Sequence, residues 1–312
     1  MPPRGLHRAL PIAALATLSV AAACSDGDGD AARDGRISVV TSTTIVADLV
    51  EQVGGNAVAV RSVVPEGADV HTFTFAPSDI RDVSDADLVV IVGADLASVE
   101  ERLAENTSGL VVVLTEGMRL RSFGEKATPE DDDGEGQEAK RRTPGSVDPH
   151  FWMDVGLAIE AVERIREGLA ALDADNEDAY SERAAGYIEE LRTVDGEIAE
   201  ILARLPPERR SLVTFHDAYG YFATRYGLTI LGFVVEGPGE EPSAAAIASL
   251  VEDIKARGVP FIFTEPQFSA RVVDQVARDT GATIRTLPSG ALSEEYPTYV
   301  DFLRRIAHSI AD

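Results

Sequence analysis

A chain of 312 residues, 45% of them hydrophobic, has apolar mass for two domains of ordinary size, and this excludes global disorder. A formal net charge of −25 repels phosphate and argues against nucleic acid as a partner. One cysteine excludes disulfides within the chain.

Residues 1–23 read as an export signal. Arg4 and Arg8 supply its positive end, and residues 9–22 form an apolar run too short to span a membrane comfortably. The run closes on VAAAC, where the lone Cys24 resembles the lipidated cysteine of a bacterial lipobox, with Ala21 standing where that motif usually has Leu. Lipidation of Cys24 would anchor the exported chain to the cell membrane. Residues 24–35, rich in Gly and Asp, read as a flexible tether.

The body then alternates apolar β-type runs with helical patterns. RISVVTS (36–42), AVAVRSVVP (57–65), DLVVIVG (87–93) and LVVVLTEG (110–117) predict strands. Their unbroken Val, Ile and Leu content suits parallel strands buried on both faces. TIVADLVEQVGG has helical spacing and a Gly stop, and a second helix is expected near 155–172. Together these predict a first α/β lobe over 36–175. Residues 118–147 interrupt it with EDDDGEGQEAKRR, which has no apolar periodicity; an insertion of this kind is either functional or disordered.

Over 176–205 the apolar positions Tyr180, Ala184, Tyr187, Ile188, Leu191, Val194, Ile198, Ile201, Leu202 and Leu205 recur at threes and fours. That predicts one linking helix of roughly 45 Å, stopped by Pro206 and Pro207. Beyond it, SLVTF (211–215), LTILGFV (228–234), PFIFTE (260–265) and ATIRTL (282–287) predict a second set of strands. Helices are expected near 218–226, 243–257, 269–280 and 297–310, which makes 206–312 a second α/β lobe.

Four histidines remain after the signal. His308 falls on the terminal helix and reads as a surface residue, whereas His71, His150 and His216 each follow a strand or a turn. Ligand sites of parallel α/β sheets lie beyond the carboxyl ends of the strands. Two facing lobes could thus converge three imidazoles, the commonest neutral nitrogen ligands for a metal such as Zn(II). For any one of them taken alone, a hydrogen-bonded structural histidine is the competing reading.

At this point the chain resembles the cluster A-I substrate-binding proteins, the zinc and manganese receptors of bacterial ABC importers. The resemblance rests on PEGADVHTFTFAPSD, DPHFWMD, HDAYGYFATRYGL and GEEPSAAAIASLVEDIKARGVPFIFTEPQFS, and covers nearly everything after the tether. It implies two α/β lobes joined by a long helix, a metal in the cleft between them, a membrane permease as partner and a monomeric, extracytoplasmic receptor. It places ligands at His71, His150 and His216. The family often has an Asp in a fourth ligand segment, but here that segment reads TLPSG, with Leu287 at the position of the acid. Glu265 could supply an oxygen instead, or serve behind a ligand, and a water could complete a three-histidine site.

Three nitrogen ligands favour Zn(II) over Mn(II), which prefers oxygen. The resemblance agrees, since its manganese members tend to carry Glu where His216 stands. A secreted zinc hydrolase with Glu265 as base is a rival class, though the chain has no HExxH helix. A receptor for a chelated metal is a third, but would not need convergent histidines. Within DPHFWMD, Phe151 and Trp152 are expected to pack beneath His150, and Asp148 or Asp154 to hold its second ring nitrogen.

Overall fold

The Val-rich runs of the first half form four parallel strands, β1 (Ile37–Thr41), β2 (Val58–Ser62), β3 (Leu88–Ile91) and β4 (Leu110–Val113), in the order β2-β1-β3-β4. All four residues of β3 are buried, as a central strand covered on both faces requires. The chain steps from β1 to β2 in one direction and returns past β1 to β3, so the switch point of the sheet lies beyond the carboxyl ends of β1 and β3. The computed structural model describes residues 35–124, 146–268 and 271–312; the export signal, Cys24, the tether up to residue 34 and the acidic centre of the 118–147 insertion lie outside them.

Local chemistry sets the helix ends. The Thr43 hydroxyl accepts from the Val46 amide to start α1 (Thr44–Gly54), which buries Ile45, Val46, Leu49, Val50 and Val53 on one face. Pro77 opens α2 (Pro77–Ser84), α3 (Ser98–Asn106) follows β3, and Asp154 caps α4 (Val155–Leu172). The long helix α5 (Glu177–Ala203) runs about 40 Å at 1.5 Å per residue. Of the ten apolar positions that predict it, Ile201 is only half-buried and the rest are buried. Helical structure stops at Ala203, two residues short of the predicted end, because a residue before proline is pushed towards extended backbone.

The second half repeats the scheme. β5 (Ser211–Thr214) pairs with β6 (Thr229–Phe233), and β7 (Phe261–Thr264) with β8 (Thr283–Thr286), all parallel. β5 lies next to β7, so the spatial order β6-β5-β7-β8 mirrors that of the first sheet. α6 (Gly220–Tyr226), α7 (Ala244–Arg257), α8 (Arg271–Thr280) and α9 (Tyr299–Ala311) complete the fold.

Alternation along these strands feeds two cores. Val213 and Ile262 face a smaller core with α7 and α8, whereas their neighbours Leu212 and Phe263 face the main core. α9 also joins the main core through Tyr299, Phe302, Leu303 and Ile306, packing on α5 and α1. Its first amide, of Tyr299, donates to the buried Asp48 carboxylate of α1 at 3.0 Å, and the Tyr187 hydroxyl of α5 donates to the same oxygen at 3.3 Å. An anion at the amino end of α9 complements the helix dipole there, although burial pushes the Asp48 carboxyl up.

Candidate metal centre

His71 lies in the loop after β2, where the chain must turn back over the sheet. Asp69 makes the turn: its Oδ1 accepts from the amide of Thr72 at 2.9 Å and from its hydroxyl at 2.8 Å. Behind the ring, the Leu96 carbonyl stands 3.0 Å from His71 Nδ1. That carbonyl is presented by a strained loop after β3, in which Gly93, Ala94 and Asp95 all take positive φ, of 85°, 52° and 55°. Two consecutive non-glycine residues in this region cost roughly 1–2 kcal/mol each and need compensating contacts. Glu100 of α3 supplies them, its two carboxylate oxygens accepting from the amides of Val92 and Gly93, each at 2.7 Å.

Burial raises the Glu100 carboxyl from 4.5 to about 7, against hydrogen bonds from Ser42, Gly93 and Val92 that favour the charged form. The folded chain therefore keeps this proton up to about pH 7, while the unfolded chain releases it near 4.5. The contribution of Glu100 to stability is greatest at low pH, falls as pH rises from 4.5 to 7, and is constant above, a change on the order of 3 kcal/mol. Glu100→Gln, uncharged throughout, should lose this part of the pH dependence. Thermal unfolding of both proteins between pH 5 and 8 checks it; equal slopes would assign the pH dependence to other groups.

His150 is set by its own neighbours. Asp148 Oδ1 accepts from the His150 amide at 3.1 Å and from its Nδ1 at 2.8 Å, closing a tight turn across Pro149. Of the two flanking carboxylates, Asp148 thus orients the ring. Asp154 instead caps α4, accepting from the Gly156 amide at 2.6 Å and from Arg225 at 2.8 Å. The buried Trp152 meets His150 edge to face, with ring centroids 5.3 Å apart, and its indole Nε1 donates to the Ser289 carbonyl at 2.8 Å. The Tyr221 hydroxyl of α6 donates to the Asp148 carbonyl at 2.7 Å.

His216 follows β5, where β5 lies beside β7. Its Nδ1 donates to Glu265 Oε1 at 2.5 Å, and Glu265 stands at the end of the adjacent strand β7. The other Glu265 oxygen accepts from the Ser289 hydroxyl and from Gln267 Nε2, the latter at 3.1 Å.

All three Nδ1 atoms thus face oxygens that can only accept, which places the ring proton on Nδ1 and directs the Nε2 lone pair to a ligand. The candidate ligand nitrogens of His71, His150 and His216 lie within 4.8 Å of one another. Ring centroids are 5.4–5.8 Å apart. Small side-chain movements would bring this set to the 2.0–2.1 Å of zinc–nitrogen bonds. His150 and His216 are each 1% exposed, while His71 is half-buried and marks the open side.

The remaining predicted residues lie elsewhere. Glu265 sits behind His216, outside the nitrogen cluster. Leu287 is buried, and its carbonyl accepts from the Tyr219 hydroxyl at 2.9 Å. His308 is exposed on α9. Three supporting groups are absent from the sequence reading: the Leu96 carbonyl, Ser289 and Gln267. The Leu96 carbonyl and Ser289 act across 25 and 24 residues, so no local pattern marks them, whereas Gln267 stands two residues from Glu265 and gains its role only once Glu265 meets His216.

Residues 39–312 match the family described as zinc-uptake complex component A, periplasmic. The manganese-binding lipoprotein MntA of Halalkalibacterium halodurans is 29% identical over 290 residues, covering 91% of each chain. The iron-binding protein YfeA of Yersinia pestis is 28% identical over 299 residues, 94% of this chain and 91% of that one. A solved structure of a ZnuA deletion mutant with zinc bound aligns at a TM-score of 0.75 and 26% identity, over 88% of this chain and 97% of that one. These names span manganese, iron and zinc.

Proposed function

Since the chain belongs to the zinc-uptake complex component A family, we propose that it captures Zn(II) outside the cytoplasm and delivers it to the membrane permease of an ABC importer. It is a metal-binding receptor rather than an enzyme. The observation that carries zinc is the donor set: three imidazoles converge, and no carboxylate joins their cluster among the described residues. Zn(II) accepts such a set in tetrahedral geometry with a water, whereas Mn(II) favours oxygen. Asp148 and Glu265 stand behind two of the rings as carboxylates, raising ligand basicity and supplying negative charge close to a dication. In this reading Glu265 orients His216 and is not itself a ligand, because both its oxygens are already engaged.

Cys24 would carry the lipid that holds the monomeric receptor at the cell membrane. Residues 36–175 and 206–312 would act as lobes, with 176–205 linking them. The second reading is a Mn(II) receptor, favoured by the name of the MntA relative. Competition titration of the metal-free protein against a chromophoric chelator separates the two. Zinc should bind at one site per chain, at least about a thousandfold more tightly than manganese. Manganese affinity equal to or above that of zinc would overturn the zinc assignment and leave the receptor role standing.

A further inference from the structure

The stretch TLPSG, which lacks an acidic side chain, places a buried serine between the supports of two metal ligands that lie 66 residues apart in sequence. Ser289 follows β8. Its carbonyl accepts from Trp152 Nε1 at 2.8 Å, and Trp152 packs edge to face on His150. Its hydroxyl donates to Glu265 Oε2, and the other oxygen of Glu265 holds His216 Nδ1. Gln267 Nε2 lies 3.4 Å from the same hydroxyl. One residue therefore touches the partner of the first-half ligand with its backbone and the partner of the second-half ligand with its side chain.

The loop around Ser289 is fixed on both sides. Leu287 gives its carbonyl to Tyr219 of the second half, and the Leu292 amide donates to the Thr44 hydroxyl of the first at 2.9 Å. Ser289 thus has little freedom to follow either ligand alone. A hydroxyl that fixes Glu265 Oε2 also fixes the plane of the carboxylate, and with it the direction of Oε1. The direction of Oε1 in turn sets the tilt of the His216 ring. Without the hydroxyl, Glu265 keeps only the Gln267 amide on that oxygen and can rotate about its last bond.

We propose that Ser289 is a positioning residue for metal binding, holding the His150 and His216 sides of the site in register through Trp152 and Glu265. This rests on the reading of the three histidines as the metal ligands. It extends to zinc affinity, for which partners that orient a ligand are typically worth 10–100-fold.

Ser289→Ala removes the hydroxyl and leaves the carbonyl bond to Trp152. Zinc affinity should fall by about tenfold. In the zinc-loaded protein, the ring resonances of His216 in nitrogen–proton correlation spectra should move, while those of His71, held by the Leu96 carbonyl, should stay in place. Trp152, the only tryptophan, gives a check on the fold, since its emission should match the parent in the metal-free state. Ser289→Cys, of similar size with a weak donor, carries the same test if the alanine variant does not fold. Zinc affinity within twofold of the parent would overturn the proposal, as would equal shifts at His71 and His216, which mark general loosening. If the parent itself bound no zinc, the ligand assignment would fail instead, so the two failures are distinguishable.

Discussion

Alanine at His71, His150 or His216 should each weaken zinc binding by two to three orders of magnitude. Structural zinc sites bind with roughly 10–16 kcal/mol at neutral pH, so one ligand of three or four accounts for about 3–4 kcal/mol. At about 1.4 kcal/mol per factor of ten, that is on the order of 10²–10³-fold. His150 and His216 should lie at the upper end. Each is buried against a carboxylate, and truncation leaves Asp148 or Glu265 with a buried charge that has lost its imidazole partner. His71 is half-buried and held by a neutral carbonyl, so water can replace it more readily. His308→Ala, on the exposed face of α9, is the control and should bind like the parent. Chelator competition reads all four. Parent-like affinity in His216→Ala would mean that the ion is held by the first half alone.

Zinc should also raise the unfolding temperature by on the order of 10 °C. An ion that binds only the folded chain stabilises it by about 4 kcal/mol at a thousandfold excess over Kd. For chains of this size each kcal/mol moves the midpoint by about 2–4 °C. The ion would add to the hydrogen bonds that already join the two halves of the chain, such as Trp152 to Ser289 and Thr44 to Leu292. His216→Ala should lose most of the increment, while its metal-free midpoint changes far less. A parent midpoint that stays fixed at saturating zinc would sink the single tight site.

The elements themselves were legible along the chain because their causes are local. Unbroken Val and Ile runs suit strands covered on both faces, and the threes and fours of α5 follow from 3.6 residues per turn. The three histidines could be singled out because each follows a strand or a turn, and because the surrounding motifs resemble a known family.

Supports of the site were not legible in the same way. Nothing local distinguishes Asp148 from Asp154, since both flank the same aromatic pair. The turn across Pro149 directs the first to His150, while the start of α4 and Arg225 claim the second. Glu265 reads either as a ligand or as a carboxylate behind one, and its pairing with His216 is fixed only when β7 is laid beside β5, 49 residues away in sequence. The final helix reads as part of the second half, yet its apolar face fills the main core against α5 and α1. Apolar periodicity determines that a face must be buried but carries no information about the surface that buries it. That choice, like the pairing of Ser289 with both Trp152 and Glu265, is made by hydrogen bonds and packing between residues 24 to 137 positions apart, and so belongs to the tertiary structure alone.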